Sequence, residues 1–209
     1  MPNKPKYGLI SAVFIVLLSL TGIVYAANEN VILRVEGPQQ GFTDLHLEDK
    51  LYYLFSGVRG MSTVWKPDVE NWLDQMGYQG QLLYSPEIQR ELGDQFKADY
   101  LIWVRIRQAG TEIKSSTLVP FIFKSHKRKF VYEVDLRFID TRLGSLIKSR
   151  SISEDKNGSR SVAYLDLDAV GQPALATTYT VEMKAFDELE DKVADRIVKE
   201  FIKTHNKNR

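Results

Sequence analysis

The chain has 209 residues, 26% of them charged and 44% hydrophobic, with a formal net charge of +1. Those proportions allow one ordinary domain with a buried core and argue against wholesale disorder. Near-neutrality offers no global attraction to nucleic acid, and the absence of cysteine excludes a disulfide framework, a thiolate nucleophile, a cysteine metal site and a lipid-bearing N-terminal cysteine.

The chain opens with MPNKPKYG, then the largely apolar run LISAVFIVLLSLTGIV, with Val24 and Ala26 as the small-residue pair before Ala27. Basic, apolar and small-residue segments in that order predict a secretory signal peptide over residues 1–26, cut after Ala26. The alternative is a retained anchor, since the run falls only slightly short of a membrane span. Either way the rest, residues 27–209, is expected as a single domain outside the cytoplasm, and a bacterial periplasm fits a cysteine-free exported chain best. Losing Lys4 and Lys6 leaves 26 basic residues against 27 acidic ones.

VILRV (31–35) predicts a strand and GPQQGF (37–42) a break. Leu47, Leu51, Leu54, Phe55 and Val58 recur at helical spacing, and Gly57 or Gly60 stops that helix. MSTVW (61–65) predicts a second strand. Two helices follow, PDVENWLDQM closed by Gly77 and PEIQRELGDQF capped by Ser85, each with proline in its first turn. Tyr100 to Arg107 alternate, apolar on both faces at first and basic on one at the end, which predicts a central strand emerging into water. Residues 129–154 predict a hairpin: Phe130, Tyr132, Val134, Leu136 and Phe138 share one face, while Glu133, Asp135 and Arg137 share the other. DKNGSR (155–160) breaks that pattern, with Asn157-Gly158 as a turn signal that outweighs its glycosylation sequon. The last thirty residues carry a stripe of Met183, Phe186, Leu189, Val193, Ile197 and Phe201, with acids early and Lys199 and Lys203 late, as the helix dipole favours. The fold class is therefore α+β, a mixed β-sheet with helices packed against it and a long C-terminal helix.

Two segments carry a resemblance. A helix ending ELGDQFKADYLIWV and the later FVYEVDLRFIDTRLGSLIKSRS together resemble envelope domains related to the curli secretion channel subunit, over roughly residues 28–203. Lipoprotein activators of penicillin-binding proteins and the N-terminal domain of the Tol-system protein TolB are similar. The resemblance implies that ADYL enters the central strand and that Asp140, Thr141 and Gly144 form a fold-defining turn. It also implies inserts at 108–129, expected as a loop, and at 155–180. The chain departs from the lipoproteins in lacking their cysteine. It departs from the channel subunit because TLVPFIF is short, does not alternate and is followed by charge, whereas a membrane strand needs about 9 to 11 alternating residues.

Catalytic and metal signals are weak. His46, His126 and His205 are widely spaced, which predicts solvated loop and helix-end histidines rather than ligands. Asp166 and Asp168 fall on one face of a candidate strand, where exposed acids are commoner than a site. The distinctive feature is the basic cluster KSHKRK beside apolar LVPFIF. Lys124, Lys127, Arg128 and Lys129, with Phe121 and Phe123, are the candidate partner-binding residues, for anionic headgroups, a polyanionic envelope polymer or an acidic protein. The expectation is a non-enzymatic accessory protein of an envelope assembly or secretion system, without cofactor, metal or nucleic acid, with envelope partners, peripheral membrane contact and self-association open. The alternative is an oligomeric outer-membrane secretion channel component.

Overall fold

A computed structural model describes residues 28–37, 46–78, 85–119, 123–164 and 179–208. In chain order the elements are β1 (Glu29–Glu36), α1 (Leu47–Ser56), β2 (Met61–Thr63), α2 (Lys66–Met76), α3 (Pro86–Phe96), β3 (Tyr100–Val119), β4 (Phe123–Asp140), β5 (Ser145–Tyr164) and α4 (Tyr179–Asn208). One five-stranded sheet runs in the order β2-β1-β3-β4-β5. Its β2, β1 and β3 are parallel, and β3, β4 and β5 form an antiparallel meander. The α+β class and the element order are those the periodicities predict.

Strand alternation divides the core between two faces. Val31, Leu33, Ile102, Val104 and Ile106, with Phe130 to Phe138 at every second position of β4, pack against α1 and α4. Ile32, Leu101 and Ile139 turn the other way, onto Val69 and Leu73 of α2 and Ile88 and Leu92 of α3. Only the first part of the sheet is covered on both faces, which is why Tyr100 to Val104 are apolar in an unbroken run. Phe201 of α4 joins the layers, meeting Phe55, Tyr100 and Phe138 edge-on at ring-centre distances of 5.4, 5.4 and 5.3 Å. Each such fully buried ring stabilises the fold by about 1.5–3 kcal/mol.

The polar link between α1 and α4 is Glu190, a buried carboxylate on the core side of α4. Its oxygens accept the His46 backbone N–H at 3.1 and 3.2 Å and the Tyr132 hydroxyl at 3.3 Å, while the Lys50 ammonium stands 3.8 Å away. The carboxylate thus meets the positive end of α1, where the helix offers unpaired N–H donors. Burial still raises its pKa, because these partners do not fully replace water.

Helix ends follow the local signals. Ser85 Oγ accepts the Ile88 N–H at 3.4 Å. Gly77 closes α2 in the left-handed conformation, φ +68°. Of the two glycines that could stop α1, Gly57 is the C-cap. Lys97, unusually for a residue with a side chain, ends α3 at φ +50°, and its carbonyl accepts from the Asn30 side chain at 2.9 Å.

The two segments that carried the resemblance touch. Thr141 is fully buried and its hydroxyl donates to the Ala98 carbonyl at 2.5 Å. A Cβ on Gly93 of α3 would lie 2.7 Å from Thr141 Cβ, so helix and turn approach at a distance that excludes any larger residue. Gly144 has φ +60°, and a Cβ there would lie 2.4 Å from the Pro86 carbonyl oxygen. Asp140 Oδ1 accepts the Leu143 N–H at 3.2 Å and closes the turn. Asp140, Thr141 and Gly144 are therefore fold determinants with separate jobs.

The expected loop over residues 108–129 is not a loop. β3 continues to Val119 and β4 begins at Phe123, in register along nearly the whole span. The pattern break at residues 155–160 is likewise strand, and Asn157-Gly158 is not a turn: Gly158 and Ser159 of β5 face Arg128 alone, a bulge between Lys129↔Asn157 and Lys127↔Arg160. Residues 110–116, 124–129 and 155–160 are mostly polar, so cross-strand bonding and not apolar alternation pairs them. The signal-peptide expectation and residues 165–178 lie outside the described residues. Among the described residues, no helix is long and apolar enough to cross a membrane.

Gly144→Ala should lower the unfolding free energy by roughly 2–4 kcal/mol, through strain at positive φ and the clash with Pro86. Denaturant titration measures it, and a variant as stable as the parent would show that the turn gives way.

Candidate functional site

β1 pairs with β3 only as far as Glu36↔Arg105. Beyond that row β3, β4 and β5 continue as a three-stranded ribbon, and from Arg105 to Val119 the strand rise carries it about 45 Å. A bulge between Ile106 and Gln108 marks the departure, leaving Arg107 exposed and 3.7 Å from Asp135. The ribbon's two faces differ in what meets them.

On the face toward α4, cations find carboxylates. Arg128 is 13% exposed and donates from Nη1 to Glu182 at 2.8 Å. Lys156 pairs with Glu188 at 2.5 Å and Arg196 of α4 pairs with Glu154. The Lys156 ammonium holds the Glu188 carboxyl below its ordinary pKa. Phe130 packs edge-on against Phe186 beneath them.

The opposite face begins with Trp103, buried under the Arg137 guanidinium at 4.8 Å from the ring centre. Outward come the rows Arg105↔Asp135↔Ser151, Gln108↔Glu133↔Ser153 and Glu112↔Lys129↔Asn157. These rows offer polar partners: Ser151 donates to Asp135 at 2.6 Å, Ser153 donates to Glu133 at 3.2 Å, and Lys129 lies 3.3 Å from Asp155 of the adjoining row. The next row is different. Lys114 faces Lys127, and Lys127 faces Arg160, placing three cationic residues at adjacent register positions. Like charges directly opposed on neighbouring strands disfavour the pairing they sit on. Lys114 and Lys127 are exposed and have no carboxylate partner among the described residues.

The candidate residues thus separate. Lys127 has no carboxylate partner among the described residues. Arg128 is a largely covered structural residue, and Lys129 is tied to Asp155. Lys124 and Phe123 are placed by register alone, opposite Thr117 and Val119. Phe121, Asp166 and Asp168 lie outside the described residues. Lys114 and Arg160 escaped the sequence reading, since only hairpin register brings positions 114 and 160 to 127. His205, expected in solvent, is 7% exposed, with Nδ1 3.2 Å from the Tyr100 hydroxyl and Nε2 3.2 Å from Glu29. Its place on the inward stripe of α4, four residues after Phe201, accounts for that burial. His46 serves as the α1 N-cap through its backbone. Among the described residues, no group of three or more metal-ligating side chains converges.

No protein-family model matches the sequence, and no curated protein does. Among solved structures, the chain is similar to a lipoprotein of Neisseria meningitidis at 13% identity and TM-score 0.40, covering 80% of this chain and 99% of that one. It is similar to the LpoB C-terminal domain of Salmonella enterica at 10% identity and TM-score 0.41, covering 66% and 91%. A minor lipoprotein of Acinetobacter baumannii matches at 9% identity and TM-score 0.44, covering 86% and 95%.

Lys127→Ala should leave unfolding free energy within about 0.5 kcal/mol of the parent, as a solvated cation does. Arg128→Ala should cost about 1–3 kcal/mol, because a largely covered guanidinium and its 2.8 Å bond to Glu182 are lost. Equal effects of the two changes would mean that the faces of the ribbon are not electrostatically distinct.

Proposed function

We propose that the chain is a non-enzymatic interaction protein of the bacterial envelope, exported to the periplasm by a leader cut after Ala26, and that it docks an acidic partner protein on the row formed by Lys114, Lys127 and Arg160. That row is the observation that carries the reading. Lys114 and Lys127, which have no carboxylate partner among the described residues, are like charges at opposed register positions, held at some cost in stability that an anionic surface would offset. Contacts of this kind set encounter rate and salt sensitivity more than ultimate affinity. The resemblance to curli-channel-related and TolB N-terminal domains supports the envelope part of the same proposal.

A second reading, an oligomeric secretion-channel component, is favoured by strand length: β3, β4 and β5 have 20, 18 and 20 residues, more than the roughly 9 to 11 that span a bilayer. A lipid-facing strand surface has to be apolar, however. Here one ribbon face carries Lys114, Lys127 and Lys129, and the other carries Arg128 and Lys156. The charge distribution favours a ribbon in water.

The test is affinity capture from envelope extract. The parent protein should retain a partner whose binding weakens as sodium chloride rises from about 0.05 to about 0.5 M. Lys114→Glu with Lys127→Glu should abolish that capture without changing the melting temperature. Capture that survives the double reversal would remove the row from the function.

A further inference from the structure

At the other end of the sheet a cavity of about 250 Å³ lies between the start of β3, the β4–β5 turn and the last turns of α4. Tyr100, Phe138 and Phe201 supply aromatic walls, and Asp140, Arg142 and His205 supply polar ones. It shares no residue with the basic row.

Behind the cavity, His205 lies between two oxygens, with Nε2 3.2 Å from Glu29 Oε2 and Nδ1 3.2 Å from the Tyr100 hydroxyl. A phenol oxygen accepts as well as donates, so Tyr100 offers the cavity an acceptor. Asp140 adds a carboxylate that is 14% exposed. Among the described residues, the carboxylates of Asp99 and Asp140 share the one Arg142 guanidinium at 3.9 and 3.5 Å, and Lys148 is taken up by Glu200 at 2.7 Å. The same negative surroundings, together with burial as the larger cause, raise the pKa of Tyr100.

Arg142 is held loosely. Its side chain is 63% exposed, with Nη2 3.5 Å from Asp140 and Nη1 3.9 Å from Asp99. It is the chain's own cation resting at the rim of an acceptor-lined aromatic pocket.

From this geometry we infer a binding site for an ammonium group on a short aliphatic stem, with the nitrogen donating to Asp140 and Tyr100, the stem against Phe138 and Phe201, and Arg142 as an internal competitor that swings aside. An ammonium matches the lining on each count: it donates only, it is favoured over aromatic faces, and it offsets the local excess of carboxylates. A carboxylate of the same size would face acceptors and like charge. The nitrogen can come from a free alkylamine or from a lysine side chain of a partner, and the chemistry at the pocket is the same.

Titration of the protein with cadaverine, followed by proton resonances of the His205 ring, tests the inference, with pentanol and pentanoate as neutral and anionic stems. Nα-acetyl-lysine amide presents the same head from a peptide unit, and the tighter of the two amines identifies the source. Cadaverine or the lysine amide should bind and move the His205 resonances, while pentanoate should not. Asp140→Asn keeps the acceptor for the Leu143 N–H but removes the charge, and should weaken amine binding about tenfold or more. Arg142→Ala should tighten it several-fold, by freeing Asp140. Binding of pentanoate as strong as that of the amines, silence toward both amines, or weaker binding after Arg142→Ala would each overturn the site. Because Arg142 is exposed, that last variant decides the matter even if Asp140→Asn does not fold.

Discussion

In the meander β3 and β4 each have one largely apolar face, β5 adds Ile152, and among the described elements only α4 is long enough to lie across all three. Ala185, Phe186, Leu189, Val193, Ile197 and Phe201 fall on the inward side of that helix and are buried. Phe201 alone reaches β3, β4 and α1 through Tyr100, Phe138 and Phe55. Glu190 adds a directional bond to the end of α1, so the helix is fixed in rotation as well as in position. Losing this packing would bare every second residue of β4 from Phe130 to Phe138, a patch too large to leave in water.

That one helix also sorts the charges of the ribbon. Its acids meet cations on the near face: Glu182 with Arg128, Glu188 with Lys156, and Glu200 with Lys148 and Arg150. Exposed ion pairs of this kind contribute little individually, but they neutralise that face. Nothing among the described residues does the same for Lys114 and Lys127 on the far face. The distinction between structural and available cations therefore arises from which side of a strand each residue occupies, a matter of parity. Arg128 and Lys127 are neighbours in sequence and lie on opposite faces.

Much of the fold was legible because its signals are local. Nine elements follow from apolar spacing, proline in first turns and glycine stops, and Ser85 caps α3 as its position implies. Residues 108–129 misled because their apolar residues cluster in LVPFIF without alternating and the stretches on either side are mostly polar: such strands show no hydrophobic period, and their pairing depends on register set far away at Tyr100↔Asp140. Asn157-Gly158 misled for a related reason, since a dipeptide that makes a tight turn also makes a bulge when its partner strand continues past it. The site was half legible. Lys127 stands out in a basic run, but Lys114 and Arg160 join it only through pairing. The burial of His205 was readable from its step of four after Phe201, but its contact with Tyr100, 105 residues earlier in the chain, was not.

The central claim is that the far face of the ribbon meets an envelope protein while the helical face does not. Photo-crosslinking in intact cells, with the reactive group placed in turn at positions 114, 127 and 199, tests it most directly. Lys199 lies on α4 and is 78% exposed, so it is equally accessible to a passing protein. The account predicts one discrete adduct common to positions 114 and 127 and absent from 199. An adduct of equal yield at 199, or none at 114 and 127, would contradict it.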